Sequence, residues 1–362
     1  MNMRLSFILI FTLAIVGCST HNNRSSENIS KVIDFEKTCF LIDGEQINWD
    51  LLGIQDFLIY DSLFIYSKRD SKGCIGVANT HGKKLGDFVS IGNGPNELLF
   101  APWVNRFPVY KLGNYVYMQI LDQMKGINYK MNITESINKD ITKMEVERDS
   151  IPANSIYIPI NDTTTFYCNL NTDNNKRQRI ITIGGKIKES PHLNTLNDKF
   201  VDYGQDPNIL SSIIKYSKEN EKFVEISLMM NTMYIYDVNG DFFKTIYLGE
   251  NLNDEKYVQR QKMAQRKLTF TNLRLYDDFW GVIYIDETLE QYDSGVRKPS
   301  RVLLFNWNGE PLADIVLKNQ ISSFDIDMQG KYLYTLDNKE EQLYRYKVQD
   351  ILNDINLGLC EE

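Results

Sequence analysis

The chain has 362 residues, with 48 acidic and 40 basic side chains and a formal net charge of −8 at pH 7. This acidic excess, without a dense patch of lysine and arginine, argues against nucleic acid as a partner. A chain of this length can bury a large hydrophobic core without disulfides or a structural metal.

The first eighteen residues have the pattern of a bacterial lipoprotein signal. Arg4 supplies a positive charge, residues 5–16 form a mostly apolar run, and Ile15-Val16-Gly17-Cys18 resembles a lipobox. An apolar run of this length reaches only ~18 Å as a helix, whereas a hydrocarbon core is ~30 Å thick. The pattern therefore predicts a cleaved signal peptide over residues 1–17 and lipidation of Cys18, with plain secretion as the alternative.

Residues 18–30 are polar after the cysteine and contain no large aromatic side chain, which predicts a flexible tether. Ser19 follows the lipidated position, where in the familiar sorting rule an aspartate signals retention in the inner membrane. The sequence therefore favours an outer-membrane lipoprotein of the cell envelope that faces the periplasm, and surface exposure stays open. The membrane is then a partner through the lipid, and residues 31–362 form the folded domain.

From about residue 35 onward, short runs rich in Tyr, Ile, Phe and Val alternate with polar residues. The 21 tyrosines and 18 phenylalanines suit cross-strand pairs on half-buried sheets. Four turns share a shape, because each begins with Asn or Asp, ends with Gly and joins two apolar runs. They are Asn79–Gly82, Asp237–Gly240, Asn306–Gly309 and Asp327–Gly330. This series of hairpins predicts an all-β repeat fold.

The repeat length indicates a β-propeller. Residues 35–352 give ~53 residues per unit for six units and ~45 for seven, against roughly 40 to 50 for a four-stranded blade. Six blades are expected, and seven stay open. Pairing of the N- and C-terminal strands in one blade would close the ring. One short inserted helix is expected at Asn253–Lys267, with Asn253 as its N-cap.

Cysteine and histidine are sparse. Beyond Cys18, the chain contains Cys39, Cys74, Cys168 and Cys360, without a CxxC pair. A bridge between Cys39 and Cys360 would join the two ends of the domain, and free thiols are the alternative. The three histidines lack a metal-binding spacing, so we expect neither a metal nor a cofactor.

Two sets of motifs resemble one family. Ile91-Gly92-Asn93-Gly94-Pro95-Asn96-Glu97 contains G-x-G-P-x-E, and residues 275–284, 302–312 and 321–327 combine aromatic strands with turns. The first motif resembles a signature of the TolB-like six-bladed propeller lipoproteins of Bacteroidetes, and the three later stretches are similar to that family's last blades. The resemblance covers about residues 35–348. It implies a six-bladed propeller on a lipid tether, and it implies no established reaction.

Gly92, Gly94, Pro95 and Glu97 form the first candidate binding site. A dinucleotide loop is excluded, because Glu97 replaces the third glycine of that motif and would repel a pyrophosphate. The plain alternative is a tight connection between blades, in which Glu97 accepts backbone N–H groups. Because connections between successive blades generally lie on the ligand-binding face of a propeller, Glu97 also stays a candidate for ligand contact.

Asp286 and Trp280 complete the set of candidates. Glu97 and Asp286 could form a pair of carboxylates across the channel, as glycosidases require, and solvated loop acids are the alternative. Trp280, like Trp103 and Trp307, could stack on a sugar ring, although large aromatic residues in β repeats usually pack in the core.

No nucleophile elbow, metal motif or phosphate loop is present, so the sequence assigns no catalytic residue. The first hypothesis is a non-catalytic scaffold that binds an envelope protein or a glycan ligand through the channel face. The alternative is a propeller hydrolase or lyase that acts on glycans. Acids with a Lys or Arg and shifted pKa values at the channel mouth would favour an enzyme, and an apolar or mixed lining would favour binding.

Overall fold

The computed structural model describes residues 28–359, apart from residues 50, 52, 153–154, 172–174, 241 and 295–297. The described chain forms six small β-sheets of four or five strands, which are the blades of a six-bladed β-propeller. The predicted all-β propeller is confirmed, and the number of blades is six. The predicted signal peptide, Cys18 and most of the predicted tether lie outside the described residues.

Three strands precede the first blade, and each of them joins a later blade. They are β1 (Asn28–Val32), β2 (Thr38–Leu41) and β3 (Glu45–Ile47). β1 begins at Asn28, inside the last residues of the stretch that the sequence predicts as tether.

Blades 1 to 3 follow in chain order, and in each the strands pair with their neighbours in sequence. Blade 1 contains β4 (Ile54–Tyr60), β5 (Leu63–Lys68), β6 (Lys72–Asn79), β7 (Lys84–Ile91) and β8 (Glu97–Leu98). Blade 2 contains β9 (Val109–Leu112), β10 (Tyr115–Asp122), β11 (Ile127–Asn132) and β12 (Met144–Arg148). Blade 3 contains β13 (Ile156–Pro159), β14 (Thr164–Asn171), β15 (Lys176–Ile183) and β16 (Lys186–Lys188).

The last three blades each take up one N-terminal strand. Blade 4 contains β17 (Ser212–Ser217), β18 (Lys222–Ser227), β19 (Thr232–Asp237) and β20 (Phe243–Leu248), and β1 lies parallel to β20. Blade 5 contains β21 (Lys267–Leu275), β22 (Phe279–Thr288), β23 (Arg301–Asn306) and β24 (Pro311–Leu317), and β2 lies parallel to β24. Blade 6 contains β25 (Ser323–Asp327), β26 (Tyr332–Asp337) and β27 (Gln342–Lys347), completed by β3 antiparallel to β27. This pairing is the predicted closure of the ring.

The hydrophobic core is divided among the interfaces between blades. Separate buried clusters join blade 1 to blade 2, blade 3 to 4, blade 4 to 5, blade 5 to 6, and blade 6 back to blade 1. Phe64 and Tyr334, for example, meet across the last of these interfaces with ring centroids 6.4 Å apart. Within the part of the chain that the structure describes, no such cluster joins blade 2 to blade 3.

The helices are short and lie in connections between strands. They are α1 (Ile133–Lys139), α2 (Pro191–Asn197), α3 (Glu255–Gln259), α4 (Leu289–Asp293) and α5 (Gln349–Leu359), with 3-10 turns at Val104–Arg106, Pro207–Leu210 and Met263–Gln265. No helix among the described residues is long and apolar enough to cross a membrane.

The predicted helix at 253–267 is real but shorter. The side chain of Asp254, rather than Asn253, accepts the N–H of Tyr257 at 2.8 Å and caps α3. Val258 is the buried residue of α3, and Lys267 already begins β21. A longer helix would therefore have no apolar face to bury. The other four helices were not predicted.

The four predicted turns each join two strands of a hairpin. Gly82, Gly240 and Gly309 have φ angles of 84°, 82° and 75°, which an L side chain rarely adopts. In the fourth turn Lys331 takes this conformation instead of Gly330, with φ of 58°. Cys39, Cys74 and Cys168 carry free thiols, whereas Cys360 lies outside the described residues.

Candidate functional site

The centre of the ring is filled by the 3-10 turn at Val104–Arg106, which we call the plug. It belongs to the connection between blades 1 and 2 and contacts β4, β5 and β21. The backbone N–H of Asn105 donates to Asp56 on β4 at 2.8 Å, and its carbonyl accepts from Arg274 on β21 at 3.4 Å and from Lys215 on β17. The inner strands of three blades therefore hold one backbone unit of the plug.

Charged groups with shifted pKa values do lie at the channel. Burial raises the pKa of Asp56, whereas burial and the neighbouring Arg274 lower the pKa of Lys215 well below its ordinary value. Asp325 forms an ion pair with Arg274 and accepts the Tyr276 hydroxyl at 2.9 Å. Asp56 and Asp325 are 0% and 1% exposed, so neither acid meets solvent. Asp56 accepts from the plug directly, and Asp325 pairs with Arg274, which in turn donates to the plug.

A cleft with a volume of about 270 Å³ opens beside the plug, between blades 2 and 3. Its walls come from the connection at residues 98–108, from the hairpin end of β10 and β11, and from β13 and β17. The apolar part of the lining includes Leu98, Phe100, Trp103, Phe107, Leu121, Ile156, Ile158 and Ile213. Trp103 is 47% exposed and Phe100 68% exposed. The volume is close to the lower end of small-molecule pockets, about 300 Å³.

One arginine of the cleft lining, and one outside it, lie over aromatic rings that line the cleft. The guanidinium of Arg106, the last residue of the plug, lies 5.7 Å from the centroid of the Trp103 ring. Arg148 on β12 lies 5.9 Å from the centroid of Tyr157. Arg106 is exposed in the cleft. The cleft therefore combines an apolar, aromatic interior with positive charge.

Among the residues that the structure describes, Asp122 is the one carboxylate of the lining. One of its oxygens accepts the N–H of Leu99 at 2.8 Å, and the other accepts those of Met124 at 3.1 Å and Lys125 at 3.0 Å. It is 7% exposed. Asp122 thus holds two loops together and offers little to a ligand.

The G-x-G-P-x-E motif forms a tight connection after blade 1. The N–H of Gly94 donates to the Glu97 carboxylate at 2.7 Å, and a Cβ on Gly92 would lie 2.1 Å from the same oxygen. The ammonium of Lys125 donates to the carbonyls of Gly94 and Glu97 at 3.0 and 2.7 Å. Pro95 is exposed in the same connection. Glu97 thus braces the segment that leads into the cleft and is not part of the cleft lining.

Asp286 and Trp280, the other two candidates from the sequence, do not line the cleft. Asp286 lies on β22 in blade 5 and forms an ion pair with Lys267 at 2.8 Å. Trp280 is 0% exposed, stacks on Phe305 with centroids 4.5 Å apart and donates to a backbone carbonyl. Trp307 is also buried, and of the three tryptophans suggested for stacking Trp103 alone lines the cleft.

The sequence reasoning missed the cleft and Arg106. A signal for it exists in Phe100–Pro108, where three aromatic residues and two prolines stand in a connection without strand alternation. Exposed aromatic residues in a proline-bounded connection indicate a contact surface rather than core. As for metals, the described residues contain no group of three His, Cys, Asp or Glu side chains that could hold an ion.

No family model and no curated protein matches the chain. Among solved structures, the chain is similar to a Bacteroides fragilis protein thought to be exported, with 10% identity over 86% of this chain and 99% of that chain and a TM-score of 0.50. A member of the DUF4221 family from Bacteroides vulgatus has 12% identity, covers 86% of this chain and 96% of its own, and has a TM-score of 0.47. At such identities the likeness shows the propeller fold alone.

Proposed function

We propose that this protein is a non-catalytic binding lipoprotein of the bacterial cell envelope, whose ligand occupies the cleft between blades 2 and 3. The observation that carries the proposal is the place of the cleft. The described residues bury apolar clusters at the other five blade interfaces, whereas this interface holds an open cavity of about 270 Å³. An unfilled apolar cavity forfeits packing energy, so a ligand is the natural occupant.

The lining favours binding over catalysis. A glycan hydrolase needs two carboxyl groups roughly 5 to 10 Å apart. The described part of the lining offers Asp122 alone, with both oxygens bonded to backbone N–H groups. His192 stacks on Phe243 at 4.8 Å, away from the lining, so it supplies no base to the cleft. The lining is a mixture of apolar and cationic side chains, which is the composition expected for a binding site. The alternative of a hydrolase or lyase finds no support in the cleft.

The location in the envelope is supported by the sequence. Residues 1–18 have the pattern of a lipoprotein signal, and the polar stretch after Cys18 leads into β1. The similar Bacteroides fragilis protein is itself thought to be exported. We place the protein on the outer membrane, facing the periplasm, with an envelope protein or a glycan as alternatives to a small ligand.

Thermal unfolding of the purified protein with a panel of small apolar compounds, peptides and glycans tests the binding site. A ligand at 100 times its Kd adds about 2.7 kcal/mol, which raises the Tm of a domain of this size by a few degrees. We expect at least one compound to raise the Tm of the wild type. The shift should be lost in Trp103→Ser, because Trp103 lines the cleft and is half exposed.

Phe40→Ser is the matched control, because Phe40 is 68% exposed on β2, at the outer edge of blade 5. Its ligand-induced shift should equal that of the wild type. A shift that survives in Trp103→Ser would place the site elsewhere on the molecule, and no shift with any compound would contradict a ligand-binding cleft.

A further inference from the structure

The cleft contains a cationic side chain that no carboxylate of the described chain contacts directly. Arg106 is exposed there, lies over Trp103, and makes no hydrogen bond or ion pair with a described residue. Stacking on the indole fixes the guanidinium against one wall and leaves its N–H donors open. Although the Arg106 side chain reaches solvent, the protein atoms around its guanidinium desolvate it and lower its pKa; the charge of Asp56 raises this pKa, and that of Arg177 lowers it. An anion in the cleft would accept hydrogen bonds from the guanidinium of Arg106.

The carboxylates around Arg106 already have other partners. Asp56 accepts Asn105 N–H and the Ser323 hydroxyl, both at 2.8 Å. Glu147, on β12 next to the cleft, accepts the amide groups of Gln119 at 3.0 Å and Asn128 at 2.7 Å.

Asp122 is likewise engaged by three backbone N–H groups. No acid near the cleft is therefore positioned to pair with Arg106 among the residues that the structure describes. An anionic ligand would find this guanidinium without a counter-charge from the described residues.

We propose that the ligand of this cleft is a small organic carboxylate, with an apolar group about the size of a phenyl or indole ring. This inference rests on the proposed function and names its ligand class. The carboxylate pairs with the guanidinium of Arg106, and the apolar group packs against Trp103 and Ile156. A guanidinium matches a carboxylate through two parallel N–H bonds, which makes the pairing selective for planar anions.

The size of the cleft argues for a small molecule. A volume of about 270 Å³ admits one ring and a short chain, and not a folded surface. The same chemistry occurs at the C-terminus of a peptide that ends in an aromatic residue. Both sources share the aromatic group and the carboxylate, and the experiment separates them.

Calorimetric titration of the purified protein with matched probes tests the inference. 4-Phenylbutyrate and 4-phenylbutan-1-ol share the apolar group and differ in charge. The wild type should bind the acid at least about tenfold more tightly, with an affinity that falls as salt rises. In Arg106→Met the affinity for the acid should fall roughly tenfold to hundredfold while that for the alcohol is unchanged. Lys347→Met, an exposed lysine at the end of β27, is the matched control and should bind like the wild type.

The dipeptide Gly-Phe and its C-terminal amide identify the source of the carboxylate. Tighter binding of Gly-Phe than of 4-phenylbutyrate, again dependent on Arg106, assigns the site to peptide ends and supports the inference. Equal affinities for the acid and the alcohol would contradict the claim that the ligand is an anion. The proposal of an apolar binding cleft would still stand. If none of these probes binds while another compound of the thermal panel does, the ligand class is wrong and the binding function stands. If the panel also fails, both are wrong.

Discussion

The buried pair of Arg179 and Glu225 shows at the scale of residues how two blades are joined. Arg179 on β15 donates to both oxygens of Glu225 on β18 at 2.7 and 2.6 Å, and both residues are buried, at 7% and 0% exposure. Burial alone would raise the pKa of Glu225, yet the charge and hydrogen bonds of Arg179 lower it from 4.5 to about 2. The carboxylate is therefore ionised in the folded protein and tied to its partner.

This pair predicts a pH dependence of stability. Since the pKa of Glu225 is lower in the folded than in the unfolded chain, its stabilisation is complete above pH 4.5 and is lost as the pH falls towards 2. Glu225→Gln leaves Arg179 buried without a counter-charge and should destabilise the protein by about 3–5 kcal/mol at pH 7. Urea unfolding of both proteins at pH 7, 5 and 3 should show the difference shrinking at the lowest pH.

Glu219→Gln provides the control, because Glu219 is an exposed acid in the hairpin between β17 and β18, the strand that carries Glu225. Its unfolding midpoint should follow that of the wild type at all three pH values. A Glu225→Gln variant as stable as the wild type at pH 7 would show that the pair only offsets its own desolvation.

At the scale of elements, closure of the ring depends on strands from the two ends of the described chain. β3 pairs with β27, and α5 packs Ile351, Leu352 and Ile355 into the cluster between blades 5 and 6. Removal of residues 342–362 takes away β27 and α5 together, so β26 becomes an edge and β3 loses its partner. We expect the truncated protein to lose cooperative unfolding, measured by circular dichroism in urea.

The matched control replaces β1, residues 28–32, by a Gly-Ser linker of equal length. β1 lies outside β20 on a blade that already has four strands, so its loss leaves the ring closed. This variant should keep a cooperative transition with a lower midpoint. Identical unfolding of the 342–362 truncation and the wild type would contradict the role of β27 in closure.

Local chemistry explains which elements could be predicted from the sequence. The Asn- or Asp-to-Gly turns fix hairpins within a few residues, so the strands on either side of residues 79–82 and 306–309 follow directly. The length of the helix at 253–267 could not be predicted in this way. It depends on what α3 packs against, and Val258 is the side chain that it buries.

The cleft could not be predicted for a different reason. Its walls combine the connection at 98–108 with strands of blades 2, 3 and 4, which lie up to about a hundred residues apart in sequence. Glu97 stood out in the sequence because glycine and proline surround it, and those residues serve the connection itself. Arg106 has no motif around it, and its role follows only from its place in the ring.

At the scale of the whole molecule, the proposed tether leads into strands at the rim of the ring. β1 and β2 are the outermost strands of blades 4 and 5, whereas the cleft lies between blades 2 and 3. Residues 18–27, fully extended, reach at most ~35 Å. In the proposed arrangement, a lipid anchor that holds the propeller through its rim at this distance would leave the cleft accessible close to the membrane.

The proposed lipid anchor at Cys18 leads to a testable prediction about where the protein is found in the cell. Cys18→Ser removes the thiol that accepts the lipid, and the protein should move from the membrane fraction to the soluble fraction of the envelope. Mass spectrometry of the N-terminal peptide should show the acylated cysteine in the wild type alone. Cys39→Ser is the control, because Cys39 lies half-buried on β2 and should leave fractionation unchanged. A Cys18→Ser protein that still sediments with membranes, and a wild type without acyl groups, would show that the propeller is retained by a partner and not by lipid.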